Sequence, residues 1–131
     1  MNKNMKIAII DTDKNFIKAL SQRLKSWDIV CTGTTNGASF FQIASQSKPD
    51  IIMLADDIKT PSWTEVLKRI KQSKSFENST IFIICTKIST GLIHQAKLYD
   101  IQHIIQKPLT FSDLIKRIQK ELQIRSHNNN E

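Results

Sequence analysis

Short runs of uninterrupted apolar residues, each followed by an amphipathic segment, are the feature of this sequence that most constrains its fold. Residues 7–10, 51–54 and 81–85 form three such runs. Continuous apolarity over so few residues is typical of a strand that is covered on both faces, as in the centre of a parallel sheet. Each run is also far too short to cross a membrane.

Segments with helical periodicity separate these runs. Apolar residues recur along one face of segments 14–26, 38–46, 61–70, 90–99 and 111–124. Strands are predicted over residues 5–10, 28–32, 50–55, 81–85 and 103–105. Strand and helix therefore alternate five times, and right-handed crossovers place helices on both faces of a parallel sheet. The sequence predicts an α/β fold with a doubly wound, five-stranded parallel sheet and five helices.

The length of 131 residues suits one domain with its own core, which we expect to span residues 1–125. The polar segment 126–131 is predicted to be a disordered tail. Cys31 and Cys85 lack the spacing of a zinc site or a disulfide framework and are predicted to be reduced thiols. Because no apolar segment is long enough for a signal peptide or a membrane span, we expect a soluble cytoplasmic protein without membrane contact.

The net charge of +7 raises the question of whether the protein binds nucleic acid. The 19 lysine and arginine residues, however, are shared among several predicted helices and do not form one patch. Charge that is distributed in this way is typical of solvated helix surfaces. The charge pattern therefore argues against nucleic acid as a partner.

Polar and acidic residues cluster directly after the predicted strands. They are Asp11 and Thr12 after the first strand, Asp56 and Asp57 after the third, Thr86 after the fourth and Lys107 after the fifth. Because the carboxyl ends of parallel strands meet at one edge of a sheet, these side chains are expected to converge there. Carboxylates suit a hard cation such as Mg²⁺, whereas a lysine and a hydroxyl suit a phosphoryl group. The sequence therefore predicts a site of the kind that handles phosphoryl groups.

Several motifs resemble the receiver domain of two-component response regulators, over residues 6–122. They are IAIIDTD at the first strand, PDIIMLA at the third, EVLKRI in the third helix, IFIICT at the fourth strand and QKPL after the fifth. The resemblance implies an acidic pair that holds Mg²⁺ and an aspartate at the end of the third strand that accepts phosphate from a histidine kinase. It also implies that Thr86 and Lys107 bind the phosphoryl oxygens.

Three positions depart from the pattern of that family. The resemblance places the phosphate acceptor at Ala55, whose methyl group cannot form an acyl phosphate. It places the second metal-binding carboxylate at Thr12, which offers a neutral hydroxyl, and the aromatic switch residue at Ile104. The site is therefore expected to be the remnant of a phosphorylation pocket, with no catalytic residue.

Three carboxylates remain near this predicted pocket. Asp11 and Asp57 are the candidate ligands for Mg²⁺, which is expected to bind weakly and not to be required. Asp11 is also expected to form a structural ion pair with Lys107. A shift of one residue would make Asp56 the phosphate acceptor, although neighbouring residues of a strand point to opposite faces of the sheet.

These expectations favour a stand-alone, atypical receiver domain that acts as a phosphorylation-independent protein-interaction module and not as an enzyme. Its expected partner is a histidine kinase or another signalling protein, bound through the face of the fourth helix, fifth strand and fifth helix. A homodimer through the same face is the alternative. One alternative is a phosphorylatable receiver or phosphotransfer protein that uses Asp56 with Mg²⁺. Another is a binder of nucleic acid or a small ligand through the basic surface or the Lys107 pocket.

Overall fold

The architecture follows the alternation of strands and helices along the chain. A computed structural model describes residues 4–129 of the protein. Within these residues the strands are Met5–Ile10 (β1), Ile29–Thr34 (β2), Ile51–Ala55 (β3), Thr80–Cys85 (β4) and His103–Gln106 (β5). The α-helices are Lys14–Lys25 (α1), Gly37–Ala44 (α2), Trp63–Gln72 (α3), Thr90–Leu98 (α4) and Phe111–Asn129 (α5). A short 3-10 helix, Lys74–Phe76, precedes β4.

The strands form one parallel sheet with the order β2-β1-β3-β4-β5. The predicted doubly wound α/β fold is confirmed. One buried cluster joins the sheet to α2, α3 and α4 through residues such as Phe40, Leu67 and Leu92. A second cluster joins the opposite face to α1 and α5 through residues such as Leu20 and Ile118. None of the helices that the structure describes is both long and apolar enough to cross a membrane.

The largest difference from the sequence prediction lies at the carboxyl end. Residues 126–129 continue α5, where the sequence predicts a disordered tail. Arg125 gives a physical reason, because its guanidinium donates to the hydroxyl of Thr80 (3.0 Å) and pairs with Asp50 (3.6 Å). A helix that is anchored in this way can extend by another turn, since propagation adds one hydrogen bond per residue. Residues 130 and 131 of the predicted tail, and residues 1–3 of the predicted domain, lie outside the described residues.

Short polar side chains fix the loops that follow the strands. Asp13, Asn36, Ser62 and Ser89 precede α1, α2, α3 and α4, and each accepts a hydrogen bond from a free backbone N–H of the first helical turn. All four loops leave the sheet at its carboxyl edge. The caps therefore hold in place the loops that surround the predicted site.

Gly33 of β2 lies so close to α1 that a larger residue does not fit without a shift. A Cβ atom there would overlap with Cγ2 of Ile17, and a β-branched residue has little rotational freedom on a helix. We expect Gly33→Ala to lower the free energy of unfolding by about 1–3 kcal/mol, as measured by urea denaturation. Gly91→Ala is the control, because the new Cβ would lie 3.9 Å from Oγ of Ser89. Equal losses in the two variants would contradict this explanation.

Candidate functional site

An ion pair between the loops that follow β1 and β5 forms the centre of the site. Nζ of Lys107 lies 2.9 Å from Oδ2 of Asp11. The other oxygen of Asp11 accepts a hydrogen bond from the backbone N–H of Asp13 at 3.0 Å. The Asp11 side chain is 1% exposed and that of Lys107 is 21% exposed. A buried carboxylate depends strongly on such partners, because an uncompensated charge in the interior is costly.

Two stacked aromatic rings lie beside this ion pair. Nζ of Lys107 lies 4.0 Å from the centre of the Phe16 ring, which stacks on Phe111 at a centroid distance of 5.9 Å. The guanidinium of Arg23 lies 4.9 Å from the centre of Phe111. Cations are attracted to the faces of aromatic rings, so the stack holds the Lys107 ammonium in place. The sequence prediction did not include Phe16 or Phe111, because their contact depends on how α1 packs beside α5.

The third strand ends at the site with a methyl group. Ala55 is 3% exposed and belongs to the core cluster between the sheet, α1 and α5. The next residue, Asp56, is half-buried and donates its backbone N–H to the carbonyl of Ile84 at 2.9 Å. Within residues 4–129, Asp11 is the carboxylate that pairs with Lys107, and Asp56 is not within 4.0 Å of the ammonium.

Thr12 and Asp57 join the loops that follow β1 and β3. The hydroxyl of Thr12 donates a hydrogen bond to Oδ2 of Asp57. Asp57 therefore lies at the same edge as Asp11, as the topology predicts. In the described part of the chain, however, no group of three or more His, Cys, Asp or Glu residues could hold a metal ion. Each oxygen of Asp11 accepts one hydrogen bond in this arrangement, one from the ammonium of Lys107 and the other from the backbone N–H of Asp13.

Thr86 directly follows β4, and Ile104 lies on the neighbouring strand β5. Thr86 follows β4 and is exposed, and its carbonyl accepts a hydrogen bond from the Gln106 side chain at 3.2 Å. Ile104 packs against the cluster of α2, α3 and α4, and its carbonyl accepts a hydrogen bond from Arg117 of α5 at 3.2 Å. The backbone N–H of Lys107 donates to the carbonyl of Cys85 at 2.7 Å. These bonds fix the end of β5 against β4 and α5.

The carboxylates at this edge influence one another. Burial raises the pKa of Asp56, and the neighbouring charges of Asp57 and Asp11 raise it further, while a backbone hydrogen bond opposes the rise. Burial also raises the pKa of the Cys85 thiol, and the charge of Asp56 adds to that effect. The ionised form of Asp56 is therefore less stable in the folded protein than in the unfolded chain.

We expect Asp56→Asn to raise the melting temperature at pH 7. A raised carboxyl pKa means that the folded state binds the proton more tightly, so stability falls as the pH rises from the ordinary value of 3.8 through the raised value. The gain from asparagine should therefore disappear when thermal unfolding is measured below pH 3.8. Glu77→Gln, at an exposed carboxylate, should show no such pH-dependent gain. A gain of equal size at low and neutral pH would contradict the electrostatic explanation.

The fold and the site together define an α/β protein with acidic side chains, a threonine hydroxyl and a lysine that pairs with a buried aspartate at the carboxyl edge of a parallel sheet. The family model described as the response regulator receiver domain matches residues 7–119. The chain belongs to this family, and it is thus a receiver domain of a two-component signalling system. Among curated proteins, no sequence matches the chain.

Solved structures with the same fold include chemotaxis and other receiver proteins. The CheY-like receiver domain protein from Methanospirillum hungatei JF-1 has a TM-score of 0.86 at 13% identity, over 96% of this chain and 99% of that chain. The chemotaxis protein CheY4 of Vibrio cholerae has a TM-score of 0.81 at 16% identity, over 90% of this chain and 98% of that chain. A response regulator from Thermotoga maritima has a TM-score of 0.78 at 16% identity, over 92% and 99%. At these identities the likeness shows the fold alone.

Proposed function

We propose that this receiver domain binds a signalling protein and is not switched by phosphorylation. The observation that carries the proposal is the contact of 2.9 Å between Lys107 and Asp11, beside a third strand that ends in the methyl group of Ala55. In a receiver that is phosphorylated, the lysine binds the phosphoryl group on the acceptor carboxylate. Here the ammonium already has a buried partner, and under this proposal the pocket keeps that one conformation.

The residue at the switch position supports the same proposal. Ile104 packs against the core with a wholly apolar side chain. An amphipathic aromatic residue can occupy a buried or an exposed position at similar cost, because its ring is apolar and its tip is polar. Isoleucine has no polar tip to exchange. The position therefore lacks the means to report a change in the pocket.

We further propose that Mg²⁺ is not required. The ammonium of Lys107 supplies positive charge beside Asp11 where a cation would otherwise supply it. Any binding through Asp11 and Asp57 would have to compete with this ammonium and with the hydroxyl of Thr12, so we expect it to be weak. The expected result of an NMR titration with millimolar Mg²⁺ is that the amides next to Asp11 and Asp57 shift little and without saturation.

The face of α4, β5 and α5 is the proposed partner surface. The loop before α4 exposes Ile88 and the helix itself exposes Ile93 and Lys97, while α5 exposes Lys116 and Lys120. Apolar residues among basic ones suit a partner with an acidic, partly apolar surface, because opposite charges steer association and burial of the apolar groups stabilises the complex. The candidate partners are a signalling protein and a second copy of the chain.

Asp56 supports a second candidate function, that of a phosphorylatable receiver. It directly follows Ala55, is half-buried, and lies close enough to Asp57 and Asp11 for their charges to raise its pKa. The three acidic groups share one edge of the sheet with Lys107. Under this alternative, Asp56 would accept the phosphoryl group in the presence of Mg²⁺.

Treatment with beryllofluoride or acetyl phosphate, each with Mg²⁺, separates the two candidates. Our proposal predicts no amide shift beyond that caused by Mg²⁺ alone and no acid-labile phosphate by mass spectrometry. Asp56→Asn is the matched variant, and it should show the same lack of response to both reagents as the unmodified protein. A phosphate on Asp56 that this variant abolishes would overturn the proposal in favour of the second candidate.

A further inference from the structure

A cleft lies between the first turns of α3 and α4, apart from the Lys107 pocket. Its volume is about 500 Å³, which lies within the range of small-molecule sites. Trp63 and Thr64 of α3 line one side, and Thr90, Gly91, His94 and Gln95 of α4 line the other. Both helices begin at the carboxyl edge of the sheet, where folds of this kind bind their ligands.

Gly91 keeps this cleft open. At Gly33 and Gly37 a Cβ atom would meet Ile17 or Val66 too closely, so packing requires glycine at both positions. At Gly91 a Cβ atom would lie 3.9 Å from Oγ of Ser89, and no described glycine has a positive φ. Glycine also weakens a helix relative to alanine. Neither packing nor backbone conformation requires glycine here, and its remaining effect is to leave space in the cleft.

The chemistry of the lining is aromatic and uncharged. Trp63 is half-buried and packs against the core cluster of α2, α3 and α4, which holds its ring in a fixed position. The side chains of Thr90, His94 and Gln95 form no hydrogen bond within residues 4–129 and can therefore bond to a ligand. No Lys, Arg, Asp or Glu is among the described residues that line the cleft, although 24% of the chain is charged.

We infer that the cleft between α3 and α4 binds a small heteroaromatic compound of about nucleoside size, stacked on Trp63. A planar ring gains from contact with the indole face, and polar atoms at its edge can bond to Thr90, His94 and Gln95. This site goes beyond the proposed partner-binding role and is independent of phosphorylation.

Tryptophan fluorescence tests this inference directly. The chain has two tryptophans, and Trp27 is 57% exposed beyond the end of α1. The variant Trp27→Phe therefore leaves Trp63 as the single reporter. Titration with adenosine, guanosine and cytidine should give saturable quenching by at least one of them, with a Kd below about 1 mM. The absence of saturable quenching by all three nucleosides would overturn the inference.

Filling the cleft tests whether the binding site is the one inferred. In the Trp27→Phe background, Gly91→Leu should weaken nucleoside binding by about tenfold or more. Ser112→Leu is the matched control, since it enlarges the exposed second residue of α5 and should leave binding unchanged. Gly91→Ala, which fits without a clash, should also weaken nucleoside binding, but by less. This variant keeps the test valid if leucine impairs folding. Equal affinity in Gly91→Leu and Ser112→Leu would overturn the assignment.

Discussion

Replacing Lys107 with methionine is expected to lower the free energy of unfolding by about 3 kcal/mol or more. Methionine keeps an unbranched stem that can cover the ring of Phe16, but it leaves the buried carboxylate of Asp11 with the backbone N–H of Asp13 as its remaining partner. The loss is large for a domain whose total stability is about 5–15 kcal/mol. Urea denaturation at pH 7, followed by circular dichroism, measures it.

A double-mutant cycle with Asp11→Asn separates the ion pair from other effects. The combination of Asp11→Asn and Lys107→Met should be less destabilised than Lys107→Met alone, because no uncompensated charge then remains in the interior. Lys97→Met is the surface control, since Lys97 is exposed on α4, and its effect should lie within about 0.5 kcal/mol of zero. Strictly additive losses at Asp11 and Lys107 would show that the two groups do not stabilise each other.

The central strands could be predicted from the sequence, because a strand that is buried on both faces consists of a continuous run of apolar residues. The predicted strands 50–55 and 81–85 differ by a single residue from β3 (Ile51–Ala55) and β4 (Thr80–Cys85). The edge strand β2 was predicted less well, since residues 28–32 were expected and β2 spans Ile29–Thr34. Its last residues are polar, and pairing with β1, where Ile10 lies opposite Thr34, fixes where the strand ends.

Topology alone places the residues of the pocket, but not their contacts. Asp11, Asp57 and Lys107 follow strands whose carboxyl ends meet at one edge, so their convergence could be derived from the order of the elements. The contact of Lys107 with the Phe16 ring, which stacks on Phe111, could not be derived, because it depends on the packing of α1 beside α5. Local sequence patterns carry no information about such tertiary contacts.

The contacts at the amino-terminal ends of the strands could not be predicted from the sequence either. His103 of β5 lies 3.4 Å from Glu121 of α5, whose other oxygen accepts a hydrogen bond from Thr80 at 2.7 Å. The same hydroxyl accepts from Arg125 at 3.0 Å. Thr80, His103 and the α5 residues Glu121 and Arg125 come from three separate segments of the sequence and have no motif spacing. They meet only because α5 crosses the amino-terminal ends of β4 and β5.

Ala55→Asp is expected to create a response to Mg²⁺ and beryllofluoride that the unmodified protein lacks. Under the proposed function, Ala55 stands where a receiver that is phosphorylated has its acceptor, and a carboxylate there would compete with Asp11 for the ammonium of Lys107. Without a cation, the added charge beside Asp11, Asp56 and Asp57 should lower the melting temperature. Mg²⁺ should restore stability, by about 1.4 kcal/mol at a concentration tenfold above its Kd. Thermal unfolding with and without Mg²⁺ measures this effect, and amide shifts measure beryllofluoride binding.

Ala55→Asn distinguishes a restored carboxylate from a mere change of shape. Asparagine has nearly the same volume as aspartate but no charge, so it should show no stabilisation by Mg²⁺ and no response to beryllofluoride. A response of equal size in Ala55→Asp and in the unmodified protein would have a different meaning. It would show that Asp56 already faces Lys107 in solution, because an added carboxylate next to a working acceptor brings no new site. The pairing of Lys107 with Asp11 would then be one of two states of the pocket, and the phosphorylation-independent role would have to be abandoned.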